Sequence, residues 1–273
     1  MYRIGIDVGG TNTDCVLLDS ELKCVYKVKV VTTEDVSSGI KHSVQELLKG
    51  SGVNPGLVKY AMLGTTHCTN AIVERKNLMK VGIIRIGAPA TTAVPPLAGW
   101  PEDMVAEIGN YTRIIRGGYE YDGRTIAQVN EEEVREACHF FKGKVSSLAI
   151  VGVFSPVNQD QENLVASIVK EELGEEIYIS LSNEIGSVGL LERENATILN
   201  ASLKETVQSV AADFRTILED EGINANIYFG QNDGTLMTCE YSLDYPILTI
   251  ASGPTNSIRG AAHLTGLKDA LVV

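Results

Sequence analysis

The chain has 273 residues and a formal net charge of −12, with 44% hydrophobic and 21% charged residues. This composition is typical of a soluble globular protein, and the length predicts one large or two moderate domains. The negative charge argues against a broad nucleic-acid surface or an anionic membrane as partner. A nucleotide site remains compatible, because backbone N–H groups and a metal ion can hold phosphates.

The cysteines and the N-terminus indicate the compartment. Five cysteines are dispersed along the chain and never form a Cys-x-x-Cys pair, which favours reduced thiols over a disulfide framework or a zinc site. Met1 runs directly into a predicted strand, which leaves no room for a signal peptide, and no apolar run reaches transmembrane length. We therefore predict a cytoplasmic protein that does not enter a membrane.

The first third of the chain begins with strands and then alternates. In chain order the predicted elements are strands Tyr2–Val8, Asp14–Asp19 and Lys23–Val31, helix Asp35–Lys49, strand Val58–Leu63, helix Cys68–Arg75 and strand Val81–Ile86. Residues 87–123 then change to a texture rich in Pro and Gly, which predicts a long and functional excursion from the sheet.

Alternation resumes after the excursion. The predicted elements are helix Asn130–Phe141, strand Leu148–Phe154, helix Gln159–Glu172, strand Ile177–Ser180, a helical stretch with a break over Gly189–Glu221, strands Ala225–Phe229 and Ile247–Ile250, and a helix from Ser252 to His263. Alternating strands and helices predict an α/β fold with a partly parallel sheet covered on both faces. The last residues, Asp269–Val273, have the pattern of a buried strand that is cut short, so we expect the chain to be a fragment.

The first motif lies between the first two strands. Asp7 stands at the end of the first strand, where it can hold a hydrated Mg²⁺. Gly9 and Gly10 follow, and glycines at the tip of a hairpin permit positive φ and a close approach to a ligand. The hydroxyl and amide side chains that come next are those of Thr11, Asn12 and Thr13. Such a turn can form an anion-binding concavity for phosphate; an ordinary hairpin is the alternative.

Two further junctions combine glycine with hydroxyl residues. Gly64 ends a strand, and Thr65, Thr66 and His67 lead into a helix. These residues are expected to face the cleft of the first motif, because ligands of α/β sheets lie beyond the carboxyl ends of parallel strands. Helix capping alone would also explain the threonine pair.

The third junction, again from strand to helix, is Ser252-Gly253-Pro254, in which proline suits the first helical turn. Arg193 and Glu194 can line a site, although pairing on a helix surface explains them as well.

Taken together, these motifs resemble the hydantoinase A / 5-oxoprolinase family, a branch of the actin-like ATPase superfamily. The matching segments are Gly5–Asp14, Gly64–Thr66 with Thr69–Ala71 and Glu74–Lys76, Gly117-Gly118, Asn183-Glu184, Glu192-Arg193, Asn195–Ala201, Ser252–Pro254 and Gly260–Ala262. The resemblance implies an actin-like ATPase (ribonuclease H-like) fold with a mixed sheet. It also implies an N-terminal ATPase domain over residues 1–180 and the start of a second, truncated domain over 181–273.

The chain departs from the family pattern at several positions. Asn12 stands where many members carry an aromatic residue, and Thr255-Asn256-Ser257 replaces small residues after Ser-Gly-Pro, so contacts to the substrate are expected to differ. The second glycine-rich hairpin of the family's nucleotide clamp is absent from the sequence. We therefore expect the chain alone to be inactive.

The activity implied by the resemblance is ATP-dependent opening of a cyclic amide, such as a hydantoin or 5-oxoproline, through phosphorylation of the amide oxygen. Asp7 would organise Mg²⁺, and Asp14 would assist the metal or brace the turn. The residues implied to bind ATP are Gly9, Gly10, Thr11, Asn12, Thr13, Gly64, Thr65, Thr66, Ser252 and Gly253. The residues implied to be catalytic are Asp7, Thr11 and His67.

Other functions share the same hairpin. A sugar or small-metabolite kinase is one alternative, although the chain lacks the clustered cysteines of the repressor-related sugar kinases. A regulatory ATPase module that binds nucleotide without turning over a small molecule is another. Related carboxylases activate a ketone by the same ATP step. The resemblance leaves open whether a second subunit or a homo-oligomer is needed.

Overall fold

The computed structural model describes residues 1–32, 36–267 and 269–272. Its strands are β1 (Tyr2–Val8), β2 (Asn12–Leu18), β3 (Cys24–Val31), β4 (Val58–Thr65), β5 (Val81–Ala88), β6 (Tyr111–Arg116), β7 (Ser147–Gly152), β8 (Tyr178–Leu181), β9 (Asn226–Gly230) and β10 (Leu236–Thr238). Its α-helices are α1 (Val36–Ser51), α2 (His67–Glu74), α3 (Glu102–Ile108), α4 (Glu131–Phe141), α5 (Asp160–Leu173), α6 (Ser182–Ile185), α7 (Leu190–Ser202), α8 (Lys204–Asp220), α9 (Cys239–Asp244) and α10 (Ser252–Thr265).

The chain groups into two compact units. One unit combines Met1–Val73 with Thr206–Val273, and the other is Glu74–Glu205. The second unit is thus inserted between two parts of the first. The domain boundary predicted between residues 180 and 181 stays a prediction, because these units follow contacts within the chain and do not test it.

The first unit is built on a six-stranded mixed sheet in the order β10-β9-β4-β1-β2-β3. β1 and β2 are antiparallel, β2 and β3 are antiparallel, and β4 lies parallel to both β1 and β9. Alternate residues of β1, including Ile4 and Ile6, face a buried core that also takes Val44 from α1 and Phe214 from α8. Because side chains alternate along a strand, Asp7 lies on the opposite face of the sheet.

The second unit holds a four-stranded parallel sheet in the order β6-β5-β7-β8. Ile84 of β5 and Ile150 of β7 pack in one core with residues of α4 and α5. The alternate positions of β5 face the other way, toward α7. This sheet therefore carries helices on both faces, as the alternation of strands and helices predicts.

A buried ion pair joins the second sheet to α7. The guanidinium of Arg85 donates from Nε to Glu194 Oε2 at 2.6 Å and from Nη2 to Glu194 Oε1 at 2.5 Å, and both side chains are buried. Arg85 also donates to the carbonyl oxygens of Thr91 and Val94. The predicted surface role of Glu194 is therefore wrong. Arg193 is likewise buried, and its guanidinium donates to Ser182 Oγ at 2.9 Å.

The excursion at residues 87–123 is folded. It contains α3 and the edge strand β6, which sequence reasoning missed, and β6 pairs in parallel with β5. Trp100 donates from its indole to Asn195 Oδ1 at 2.8 Å, within the same unit. Part of the excursion therefore completes the second sheet.

Most predicted elements are present, and β1 matches its prediction to the residue. The predicted break in the long helical stretch occurs at Leu203, between α7 and α8. The strand predicted at Ile247–Ile250 is wrong: Pro246–Thr249 forms a 3₁₀ helix, because proline at its first position favours a helical turn. Residues 269–272 form no strand, and Asp35, the predicted start of the first helix, lies outside the described residues.

Removing one partner of the buried ion pair should strongly destabilise the fold. We expect Glu194→Gln to lower the free energy of unfolding by about 3–5 kcal/mol, because Arg85 is left as a buried unpaired charge. Urea titration followed by circular dichroism measures this change. Arg124→Met, which removes an exposed pair with Asp122, is the control and should change stability by less than about 1 kcal/mol. Equal effects of the two variants on the free energy of unfolding would contradict the assignment of Arg85 and Glu194 as a buried ion pair.

Candidate functional site

A cavity of about 390 Å³ lies in the first unit, where parallel strands end. Its polar lining comes from Asp7 of β1, Asp14 of β2 and two residues of α10, Asn256 and Ser257. Gly64 and Gly230, near or at the ends of β4 and β9, complete this part of the wall. The cavity thus lies at the carboxyl ends of β1, β4 and β9, which is the position expected for a ligand in a parallel sheet.

Asp7 and Asp14 are directly opposite each other in the β1–β2 pair. Asp14 is paired in turn with Lys29 of β3, whose Nζ lies 3.2 Å from Asp14 Oδ2. The carboxylate of Asp7 makes no hydrogen bond or ion pair with any described residue. Partial burial, and secondarily the charge of Asp14, raise the pKa of Asp7 above its ordinary value. Asp7 is therefore the carboxylate that is left to attract a cation.

Gly64 makes room for the Asp7 carboxylate. A Cβ added to Gly64 would lie 2.7 Å from Asp7 Oδ1 and 3.4 Å from Asn256 Nδ2. The β1–β4 register pairs Asp7 with Gly64, so the carboxylate lies over the glycine backbone. Any larger residue at position 64 would displace Asp7.

The hairpin tip offers free backbone donors. The turn is closed by a hydrogen bond from Gly9 N–H to Asn12 O at 3.0 Å, whereas the N–H groups of Gly10 and Thr11 have no partner among the described residues. Gly10 and Thr11 are exposed. Two adjacent free N–H groups suit an anion. Contrary to expectation, neither Gly9 nor Gly10 has positive φ; a Cβ on Gly9 would instead crowd Asn12 O at 3.2 Å.

Thr13 has a structural partner. Its side chain is fully buried, and its hydroxyl lies 3.1 Å from that of Thr32. Thr32 also donates from its hydroxyl to Gly9 O at 2.9 Å and from its N–H to Thr11 O at 2.9 Å. These contacts brace the hairpin and leave the Thr13 hydroxyl facing the protein interior. Thr32 was missed by sequence reasoning.

The second junction is held together by its own threonines. Thr65 Oγ1 accepts from His67 N–H at 3.2 Å and also contacts His67 Nδ1. Thr66 donates from its hydroxyl to Val8 O at 3.3 Å, which ties the start of α2 to the end of β1. Burial lowers the pKa of His67, and Asp213 partly offsets this. The capping interpretation thus holds for Thr65, and neither threonine lines the cavity.

The third junction follows a 3₁₀ helix and not the predicted strand. Ala251 has a left-handed backbone at φ 58°, and its N–H donates to Thr69 Oγ1 at 3.2 Å. Ser252 is buried, and Gly253 has open space where a Cβ would stand. Neither lines the cavity. α10 instead brings Asn256 and Ser257, which lie one turn further on, to the ends of β4 and β9.

The carboxylates fit magnesium. No group of three or more His, Cys, Asp or Glu side chains forms a metal cluster within residues 1–32, 36–267 and 269–272. Mg²⁺, however, is commonly bound by one or two carboxylates together with waters and substrate phosphates. Asp7 is unpaired and lies three residues before the free N–H groups of the hairpin tip, which suits a metal that is bound to a phosphate.

The comparisons with known proteins define the class first. The chain superposes on a caprolactamase structure from Pseudomonas jessenii with a TM-score of 0.79 and on an acetone carboxylase structure with 0.75, both at 21% identity and covering 97% of this chain and 40% of the other. The chain thus shares the fold of these two proteins, and the predicted α/β fold with a mixed sheet is confirmed.

Residues 3–173 match the family model described as hydantoinase/oxoprolinase N-terminal region, and residues 193–273 match the one described as hydantoinase/oxoprolinase. The chain belongs to the hydantoinase/oxoprolinase family. An uncharacterized protein of Methanocaldococcus jannaschii is 25% identical over 97% of this chain and 40% of its own length. Caprolactamase subunit alpha of Pseudomonas jessenii is 22% identical over 94% and 39%. The chain spans about two fifths of the length of these relatives.

Of the sequence-predicted site residues, three line the cavity: Asp7, Asp14 and Gly64. Gly230 was missed, and Asn256 and Ser257 were noted only as departures from the family pattern and not as residues of this cavity. The sequence held two signals for them. Asn256 lies one helical turn beyond Ser252 and Gly253, and Gly230 ends a strand in the same way as Gly64. Within the described residues, no helix is both long and apolar enough to cross a membrane.

Neutralising Asp7 should stabilise the metal-free protein at neutral pH. The raised pKa means that the folded state holds the proton of Asp7 more tightly than the unfolded state does. The protonated carboxyl therefore stabilises the fold fully below the ordinary pKa of 3.8, and this contribution is lost as pH rises through the pKa of the folded state. Asp7→Asn should therefore raise the free energy of unfolding at pH 7 by about 1 kcal/mol or less, since Asp7 is exposed. The difference should vanish below pH 3.8.

Urea unfolding at pH 7 and below pH 3.8, in the presence of a chelator, measures the difference in the free energy of unfolding between Asp7→Asn and the wild type. Glu136→Gln, at an exposed carboxylate of α4, is the matched control and should leave stability unchanged at both. A loss of stability in Asp7→Asn at pH 7 would show that Asp7 has a stabilising partner.

Proposed function

We propose that this chain forms the nucleotide-binding part of an ATP-dependent enzyme that activates a cyclic amide, with ring opening of a hydantoin or 5-oxoproline type substrate as the reaction. The observation that carries the proposal is the unpaired Asp7 carboxylate in a cavity at the carboxyl ends of β1, β4 and β9. Family membership supports ATP as the co-substrate.

The relatives support this proposal at a coarser level. One is named caprolactamase subunit alpha, and its structure is described as an ATP-dependent caprolactamase. A caprolactam is a cyclic amide, so ring opening is the activity we extend to this chain. The word subunit in that name also supports a second subunit as the partner here.

We assign the following roles to the residues. The free N–H groups of Gly10 and Thr11 would bind phosphate oxygens, and Asp7 would hold Mg²⁺. Mg²⁺, when bound, supplies positive charge that stabilises the transferring phosphoryl group. Thr13 and Thr32 keep the hairpin in shape, and Asp14 is already paired with Lys29. We therefore assign Asp14 to bracing the site and Asp7 to the metal.

In the proposed reaction the ring amide oxygen takes the γ-phosphoryl group of ATP, and ADP leaves. The ring carbon that bears the phosphorylated oxygen is then electrophilic enough for water to attack. The C–N bond breaks, the nitrogen takes up a proton, and a second water hydrolyses the resulting acyl phosphate to a carboxylate and phosphate. Such a reaction depends on positioning and electrostatics more than on a protein nucleophile. This agrees with a site of one free carboxylate and backbone donors.

Ketone activation is the second candidate, because the chain superposes on acetone carboxylase nearly as well as on caprolactamase. Both acceptors present a carbonyl oxygen to ATP. The test is Mg·ATP hydrolysis by the complete product of the gene, with hydantoins, 5-oxoproline, simple lactams, ketones and sugars. Stimulation by a cyclic amide with a ring-opened product supports the proposal. Stimulation by ketones alone, phosphorylation of a sugar, or ATP binding without stimulation would each overturn it.

Asp7→Asn should abolish ATP turnover and leave the fold intact. We expect hydrolysis to fall on the order of 100-fold or more, because the metal loses its anchoring carboxylate. Steady-state release of phosphate measures turnover, and circular dichroism checks the fold. Glu136→Gln is again the matched control. Retained turnover in Asp7→Asn would remove Asp7 from the mechanism.

A further inference from the structure

Asn256 lies across the ends of two strands. Its Nδ2 is 3.0 Å from the position that a Cβ of Gly230 would occupy and 3.4 Å from that of Gly64. The amide therefore fills the space that both glycines leave open. It faces the same cavity as Asp7 and Asp14.

The hydrogen-bonding capacity of this amide is unused within the protein. The Asn256 side chain makes no hydrogen bond with the residues that the structure describes, and it is only half-buried. A primary amide offers two donor hydrogens and a carbonyl acceptor side by side. Because it points into a cavity with both kinds of group free, it is suited to a ligand that presents a donor and an acceptor on one edge.

A ring amide presents this edge. The ring holds its C=O and N–H on the same side, so a carboxamide can donate to the oxygen and accept from the N–H in two parallel hydrogen bonds. Proteins use this bidentate pairing of an Asn side chain with an adjacent donor and acceptor in reading adenine. A ketone or a lactone has no N–H and would leave the Asn256 oxygen without a donor.

The location also fits. Asp7 Oδ1 and Asn256 Nδ2 both lie within 3.4 Å of the point that a Cβ of Gly64 would occupy. A ring amide bound to Asn256 would therefore lie beside the carboxylate to which we assign the metal.

We propose that Asn256 is the specificity-determining residue that recognises the cis-amide edge of a ring substrate, which rests on the proposed function. It binds the ring through both the carbonyl oxygen and the N–H, and so selects lactam-type rings over lactones and ketones of the same size.

The test compares a lactam with the lactone of equal ring size in Mg·ATP hydrolysis by the complete gene product. The wild type should prefer the lactam, and Asn256→Leu, which keeps the volume and removes both hydrogen bonds, should raise the lactam KM about 10- to 100-fold. The preference over the lactone should disappear, while the affinity for Mg·ATP stays unchanged. Gly230→Ala, whose Cβ would press on the amide, should shift the preference in the same direction.

Two variants control for general damage. Ser257→Ala changes the same cavity without touching the amide, and Asn110→Ala removes an exposed asparagine of the other unit; both should keep the preference. An unchanged lactam preference in Asn256→Leu would overturn this inference and leave the proposed function standing. A wild type that binds Mg·ATP but is stimulated by no ring amide would overturn both.

Discussion

The parallel alignment of β4 between β1 and β9 is the constraint on which the site depends. Its register sets Asp7 beside Gly64 and brings Gly230 to the neighbouring position on the other side. Neither glycine has a side chain, so the carboxylate of Asp7 and the amide of Asn256 share the space above the sheet. The cavity exists because side chains are missing at two strand ends, and a slip of one residue of β1 against β4 would turn Asp7 into the core.

The electrostatics of the site are asymmetric. Two like charges stand opposite each other on β1 and β2, an arrangement that is unfavourable for the fold. Lys29 compensates Asp14 alone, so Asp7 is left without an opposite charge. Partial burial, and secondarily the charge of Asp14, raise the pKa of Asp7. The hairpin tip lies three residues after Asp7. Its free N–H groups carry partial positive charge, opposite to that of the carboxylate. The metal ion and phosphate that we propose as ligands are complementary to this pair of features.

The sequence predicted the elements with strong periodicity and missed those with weak signals. β1 was predicted to the residue, because its alternation is regular and a glycine pair ends it. β6 and α3 were missed because proline and glycine obscure their pattern, and β10 has only three residues. Asp7, Asp14 and Gly64 could be predicted from motifs, whereas the burial of Arg85 and Glu194 could not, since each is the partner of a residue far away in the chain. Asn256 was noticed only as a departure from a pattern, because its proximity to Gly64 and Gly230 exists only in three dimensions.

The two halves of the site have different origins in the chain. The contacts that we propose for the metal and the phosphate come from β1, β2 and the turn between them, which Thr32 braces. The contact we assign to the acceptor comes from α10, near the other end of the sequence. A substitution on α10 can therefore change which acceptor fits without moving a phosphate contact, because Asn256 is joined to the hairpin only through shared space and not through a hydrogen bond.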